Sequence, residues 1–170
     1  KDDPRVRVIR FRANFGKSAA LSKGFDVARG SIFITLDADL QDDPAEIPKF
    51  LSHLAKGFDL VVGRRQKRND PLSKKISSMI FNTITRIITG INLHDVNCGL
   101  KVMKNEVAQN IRLHGELHRF IPVLAAKQKY YVTELPVNHR ARKFGKSKFG
   151  FERAWSGMID LLTTLFLTDY

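Results

Sequence analysis

The apolar positions of this chain switch period repeatedly, from the alternation of an extended strand to the three-and-four spacing of a helix. Val6 to Phe11 alternates Arg with Val or Ile and reads as a strand, while Ser18 to Arg29 has helical spacing and stops at Gly30. Ile32 to Leu36 is a second strand. Pro44 stands where a first helical turn accepts it, Ile47, Phe50, Leu51 and Leu54 recur at helical spacing, and Gly57 ends that run. Phe58 to Val62 is a third strand. A longer helix from about Ser73 to Thr89 places Ile76, Ile80, Ile84, Ile87 and Ile88 on one stripe, and Gly90 closes it. A short strand at Leu100 to Met103, helical stretches near Glu106 to Arg112 and Arg119 to Lys127, and a strand at Tyr130 to Val137 follow. Strands alternating with helices predict βαβ units, an α/β fold and a mostly parallel sheet.

The second strand ends in the string Leu36 to Pro44, LDADLQDDP, with two carboxylates one residue apart, Asp37 and Asp39. In an extended segment such residues face one side, and the carboxyl end of a buried strand is where open α/β sheets hold ligands. Hard oxygen donors there suit Mg²⁺ or Mn²⁺, ions that complete their shell with substrate phosphates. A lone D-x-D is weak by itself, because acidic pairs also cap helices and decorate turns. Asp42 and Asp43 read as the N-cap of the Pro44 helix.

The 170 residues, 43% hydrophobic, are enough for one domain with a real core. Twenty-nine Lys plus Arg against 17 Asp plus Glu give a formal charge of +12, which implies a polyanionic neighbour: nucleic acid, an acidic membrane surface or a phosphorylated substrate. The twelve Phe fall mainly at core-like positions, which argues against a nucleic-acid-binding module. The single cysteine, Cys98, excludes an internal disulfide and fits a reducing, cytosolic-facing compartment. No apolar run crosses a bilayer, but Ala154 to Tyr170 is amphipathic enough to lie on one. Gly145-Lys146-Ser147 is not a Walker loop, since Arg140 stands where that pattern needs Gly.

Taken together, RANFGKSAALSKGFDVARG at Arg12 to Gly30, LDADLQDDP, VVGRR at Val61 to Arg65, DVNCGLKVMKNEV at Asp95 to Val107, HRFIPVLA at His118 to Ala125 and RKFGKSKFG at Arg142 to Gly150 resemble the family 2 glycosyltransferases of GT-A fold. Within them the string is most similar to the polyprenyl-phosphate branch, the dolichyl-phosphate mannose synthases and undecaprenyl-phosphate sugar transferases. The resemblance implies a Rossmann-like sheet flanked by helices. It also implies N-terminal truncation, because the family's opening strands, with their Asn-Glu turn and Asp-Asp-Gly-Ser type motif, have no counterpart here. The expected organisation is a partial catalytic domain over residues 1–152 and a juxtamembrane-type amphipathic helix over 153–170.

By that resemblance Asp37, Asp39 and Gln41 form the metal site for Mg²⁺ or Mn²⁺, with Asp37 and Ala38 also against the substrate. Arg65 contacts phosphate, as the planar fork of arginine suits. One of Lys74 and Lys75 meets the acceptor phosphate, Arg119 lies near the acceptor side with His118, and Arg142 and Lys148 belong to a loop that closes over the diphosphate. Asp39, Arg65 and Asp95 are the catalytic candidates. Asp95 is expected to order Arg and Lys side chains, because a phosphate monoester acceptor is already anionic and needs no general base. Glu152-Arg-Ala-Trp155 does not fit the Q-x-x-R-W motif of processive synthases. The implied partners are a nucleotide-sugar donor, a polyprenyl phosphate acceptor and an acidic membrane surface, with the protein peripheral on the cytoplasmic face.

Overall fold

A computed structural model of the chain describes residues 3–66 and 72–140. Helix α1 (Gly16–Val27) precedes strand β1 (Ile32–Thr35), helix α2 (Ile47–Leu54), strand β2 (Leu60–Arg65) and helix α3 (Leu72–Thr89). Strand β3 (Lys101–Lys104), helices α4 (Asn105–Asn110) and α5 (Ile121–Lys127), and strand β4 (Val132–Val137) complete it. The four strands form one sheet in the order β1-β3-β2-β4. Strand β3 pairs antiparallel with both β1 and β2, and β2 pairs parallel with β4. Three strands thus run the same way and the fourth is inserted between them reversed. The parallel direction follows the sequence reading, but the ladder is mixed.

This order sets the carboxyl ends of β1, β2 and β4 at one edge of the sheet. Thr35 and Val62 both lie level with Lys101, at the start of β3. Because β3 and β2 are covered on both faces, Leu60, Val61, Val62, Val102 and Met103 are completely buried, as a central strand's unbroken apolar run requires. Phe50 of α2 and Phe120 before α5 are completely buried in the same core, and Phe25 meets Phe33 edge-on at 5.7 Å.

Turn chemistry places the helices much as the sequence implies. Asp43 caps the 3-10 turn Pro44–Glu46 that leads into α2, its Oδ1 accepting the Ala45 N–H at 3.1 Å. Gly90, with φ +69°, takes the left-handed position that ends α3.

Two expectations need correction. Residues 6–11 form no strand: among the described residues nothing pairs with them, and Val6 and Val8 are 69% and 86% exposed. Alternation marks a strand only where a ladder neighbour and an apolar layer receive it. In α3 the isoleucine stripe is not the core face, for Ile80 and Ile87 are exposed while Ile84 alone of the described members packs on the core. The last expected segment, 153–170, lies outside the described residues.

Candidate active site

The acidic string lies just beyond β1, and the ladder stops before it. Thr35 is the last paired residue, its hydroxyl donating to the Gly99 carbonyl at 2.8 Å, and Ala38 and Asp39 then form a turn. The period-two argument for Asp37 and Asp39 therefore does not apply, because the backbone has left the extended state. Asp39 is half-buried, with its Oδ1 accepting the Gln41 N–H at 3.2 Å, and Ala38 is exposed. Leu40, with φ 60°, reverses the chain in the left-handed region.

That reversal carries Asp42 back under Asp37. A Cβ placed on Gly99 would stand 2.7 Å from Asp37 Oδ2 and 2.8 Å from Asp42 Oδ2, so the two carboxylates approach one point and only a glycine leaves room for both. Asp42 is buried and bridges to His139, with Oδ1 3.6 Å from Nδ1. The capping role expected of the Asp pair belongs to Asp43 alone, and Asp42 is a site carboxylate that the sequence reading missed.

Three cations answer these acids. Lys17, in the first turn of α1, donates to Asp37 Oδ1. Burial pushes the Asp37 carboxyl up, but the Lys17 hydrogen bond and charge, with Lys101 and His118 behind it, overcome that and hold it below its ordinary value. Lys101 is buried at the head of β3 and donates to the Cys98 carbonyl; burial pushes its pKa down to about 8. Arg65, at the carboxyl end of β2, makes a fork with Asp95, Nε to Oδ2 at 2.7 Å and Nη2 to Oδ1 at 2.8 Å. Burial works against the guanidinium charge, yet Asp95 reverses this and holds the Arg65 pKa above its ordinary range. Asp95 is thus the hydrogen-bond partner of the Arg65 guanidinium. The Cys98 thiol, buried beside Asp95, is pushed up to about 11 and stays protonated at neutral pH.

His118 stands near the Asp37 end. Its backbone N–H donates to Ser18 Oγ at 3.0 Å, its Nδ1 is 3.1 Å from the same hydroxyl, and burial together with Lys17, Arg119 and Lys101 pushes its pKa down to about 3. It is a neutral imidazole. Arg119 is buried in the 3-10 turn Leu117–Arg119 and pairs with Glu116 at 2.8 Å.

Gln41 faces the end of β4. Its Nε2 donates to the Arg140 carbonyl at 3.0 Å and its own carbonyl accepts the Arg140 N–H at 2.9 Å, while Arg140 also pairs with Asp43. The acidic loop is thereby clasped to the residues that lead into the basic segment containing Arg142 and Lys148, which lies outside the described residues. Lys74 and Lys75 fall in the first turns of α3.

Among the described residues no group of three His, Cys, Asp or Glu side chains could hold a metal. Two carboxylates meeting over Gly99, with Asp37 still half-exposed, nonetheless suit a hard divalent ion that takes one or two protein oxygens and fills its shell with phosphate and water. The residues present fit such an ion.

The class that this sheet and its edge define is a GT-A-type α/β domain. The structure superposes on glucosyl-3-phosphoglycerate synthase from Mycobacterium tuberculosis in complex with phosphoglyceric acid with a TM-score of 0.65 at 16% identity, over 97% of this chain and 57% of that one. For the same enzyme with Mn²⁺ and UDP-glucose the TM-score is 0.61 at 18% identity, over 97% and 56%. The chain belongs to Glycosyl transferase family 2, whose pattern matches residues 1–112. Dodecaprenyl-phosphate galacturonate synthase from Rhizobium johnstonii is 40% identical over 169 residues, 97% of this chain and 50% of that protein. Undecaprenyl-phosphate 4-deoxy-4-formamido-L-arabinose transferase from Salmonella paratyphi B is 38% identical over 166 residues, 98% and 51%. The chain spans about half the length of these relatives.

Proposed function

We propose that the protein containing this chain transfers a sugar from a UDP- or GDP-linked donor to a polyprenyl phosphate at the cytoplasmic face of a membrane, by inverting in-line displacement at the anomeric carbon. The observation that supports it best is the meeting of opposite chemistries at one sheet edge: carboxylates around Gly99 for a cation, and the forked Arg65 beside them for phosphate. The names of the two relatives, each a polyprenyl-phosphate sugar enzyme, point to the acceptor class.

In this reading Asp37, Asp39 and Gln41, joined by Asp42, would hold Mg²⁺ or Mn²⁺, which would neutralise charge on the departing diphosphate. Asp95 holds the Arg65 guanidinium through Nε and Nη2, and the remaining N–H groups of the fork would meet phosphate oxygens without reorganisation as charge develops. Lys17 and Lys101 keep the acids compensated before the substrate arrives. The acceptor phosphate is anionic at neutral pH, so His118, neutral and bound to Ser18, is not required as a base. Lys74, Lys75, Arg119, Arg142 and Lys148 remain the candidates for further substrate contacts.

The test is transfer by the intact protein from a panel of radiolabelled UDP and GDP sugars to polyprenyl phosphate, with Mg²⁺ or Mn²⁺ and with excess chelator. Product is expected only with the divalent ion, and Asp39→Ala abolishes it. Equal turnover in chelator, or full turnover by that variant, removes the metal assignment.

A further inference from the structure

Ser18 gives its whole hydroxyl to one residue. It lies in the first turn of α1, 1% exposed, and its Oγ stands 3.0 Å from the backbone nitrogen of His118 and 3.1 Å from the Nδ1 of the same ring. The backbone N–H can only donate, so Oγ accepts it. A serine hydroxyl carries a single hydrogen, and among the described residues Ser18 Oγ has no other hydrogen-bond partner. That hydrogen goes to Nδ1. The network thereby makes Nδ1 an acceptor and assigns the ring proton to Nε2.

The other edge of the ring is open. Nε2 has no hydrogen-bond partner among the described residues, and it is not one of their sealed, unpartnered atoms. The ring nevertheless lies close enough to Asp37, Lys17 and Lys101 for their charges to act on it, which places it at the Asp37 end of the site. With its pKa pushed down to about 3 by burial and those cations, the ring is neutral at neutral pH and Nε2 remains a donor. A histidine that only fills space is served by either tautomer. Here a buried serine selects one, and the hydrogen it leaves exposed has nothing in the protein to receive it.

We propose that His118 is a substrate-binding residue whose Nε2–H donates to a substrate oxygen, a hydroxyl of the donor sugar or the phosphate of the acceptor, and that Ser18 is the positioning residue that fixes its tautomer. This rests on the sugar-transfer reading. A neutral donor takes no proton, which agrees with an acceptor phosphate that needs no base.

Steady-state kinetics of the intact protein, with polyprenyl phosphate and the sugar nucleotide that gives transfer in the panel, test it. His118→Phe is expected to raise one KM about tenfold while kcat changes little. A rise for the sugar nucleotide, with inhibition by the free nucleoside diphosphate unchanged, assigns the bond to the sugar; a rise for polyprenyl phosphate assigns it to the acceptor. His118→Gln, whose amide N–H reaches the Nε2 position, restores that KM to within about threefold. His118→Asn, whose amide ends at the Nδ1 position, does not restore it. Ser18→Ala raises the same KM about threefold, because either ring nitrogen then carries the proton. Unchanged KM for both substrates in His118→Phe overturns the proposal. Equal impairment by the Phe, Gln and Asn variants in step with a falling Tm also overturns it, since the ring would then only support the fold. So does a pH–rate profile that loses an ionisation in His118→Gln, which would make the ring a titrating base. Absence of transfer by the wild type from every sugar nucleotide would remove the sugar-transfer reading and this contact with it, whereas transfer that His118→Phe leaves untouched removes this contact alone.

Discussion

Lys17 and Asp37, twenty residues apart, form an ion pair that puts an ammonium of α1 against the first carboxylate of the D-x-D loop. Both side chains are close to 40% exposed, so solvent reaches the pair and a competing cation has access to it. The lysine is thus a resident counter-ion at the position where the sequence leads one to expect a divalent one.

Replacing that counter-ion should alter metal binding before any chemistry. Lys17→Met removes the counter-ion hydrogen-bonded to Asp37, and Mn²⁺ affinity measured by electron paramagnetic resonance without nucleotide is expected to rise, by no more than about fivefold given solvent screening. An Asp37→Asn variant is expected to lose that affinity. Weaker Mn²⁺ binding in Lys17→Met would show the ammonium to be a helper of the ion rather than its competitor.

Gly99→Ala tests the meeting of Asp37 and Asp42. The new methyl would press within 3 Å of both carboxylates, and Asp42, being buried, has little room to move aside. Loss of Mn²⁺ binding is expected together with a stability decrease of about 1–3 kcal/mol in urea unfolding. Wild-type affinity in this variant would show that the two acids do not share an ion.

The Arg65–Asp95 fork is a two-point and largely buried ion pair at the edge. With Asp95 2% and Arg65 17% exposed, Asp95→Ala leaves a guanidinium with little water to replace its partner, and a destabilisation of about 3–5 kcal/mol is expected. Arg65→Lys keeps the charge and loses the fork, so stability should fall less while donor KM rises. Equal stability loss in the two variants would contradict this division.

Lys101 gives the stability curve an alkaline slope. Its folded-state pKa is about 8 against an ordinary 10.5, so between those values the unfolded chain binds more protons than the folded one. Stability should therefore rise with pH from about 8 to about 10.5 as the buried ammonium discharges, and Lys101→Met should flatten that rise. Urea midpoints across this range provide the measurement.

Much of the fold was legible because it rests on local chemistry. Asp43 before Pro44 predicts the cap, Gly90 the end of α3, and the runs at Ile32 and Leu60 the strands. Val6 to Phe11 and the isoleucine stripe of α3 misled, because a period records that a face is covered and is silent about what covers it. Among site residues, Asp37, Asp39, Arg65 and Asp95 carried a signal in motif and spacing. Lys17 and Lys101 carried only a faint one, a lysine opening a helix after glycine and a lone cation at the head of an apolar strand.

The sequence by itself determined the α/β alternation, the acidic string at a strand's end, the arginine at another's, and the cationic balance, since these depend on side-chain type and on neighbours a few residues away. Only the tertiary structure decided that Asp42 faces Asp37 across Gly99, that Lys17 reaches Asp37, that Gln41 clasps Arg140 and that Ile80 and Ile87 are exposed while Ile84 packs on the core. Those relationships join residues up to about a hundred positions apart, and the insertion of β3 between β1 and β2 is what fixes them, because strand order rather than chain order sets which loops share an edge.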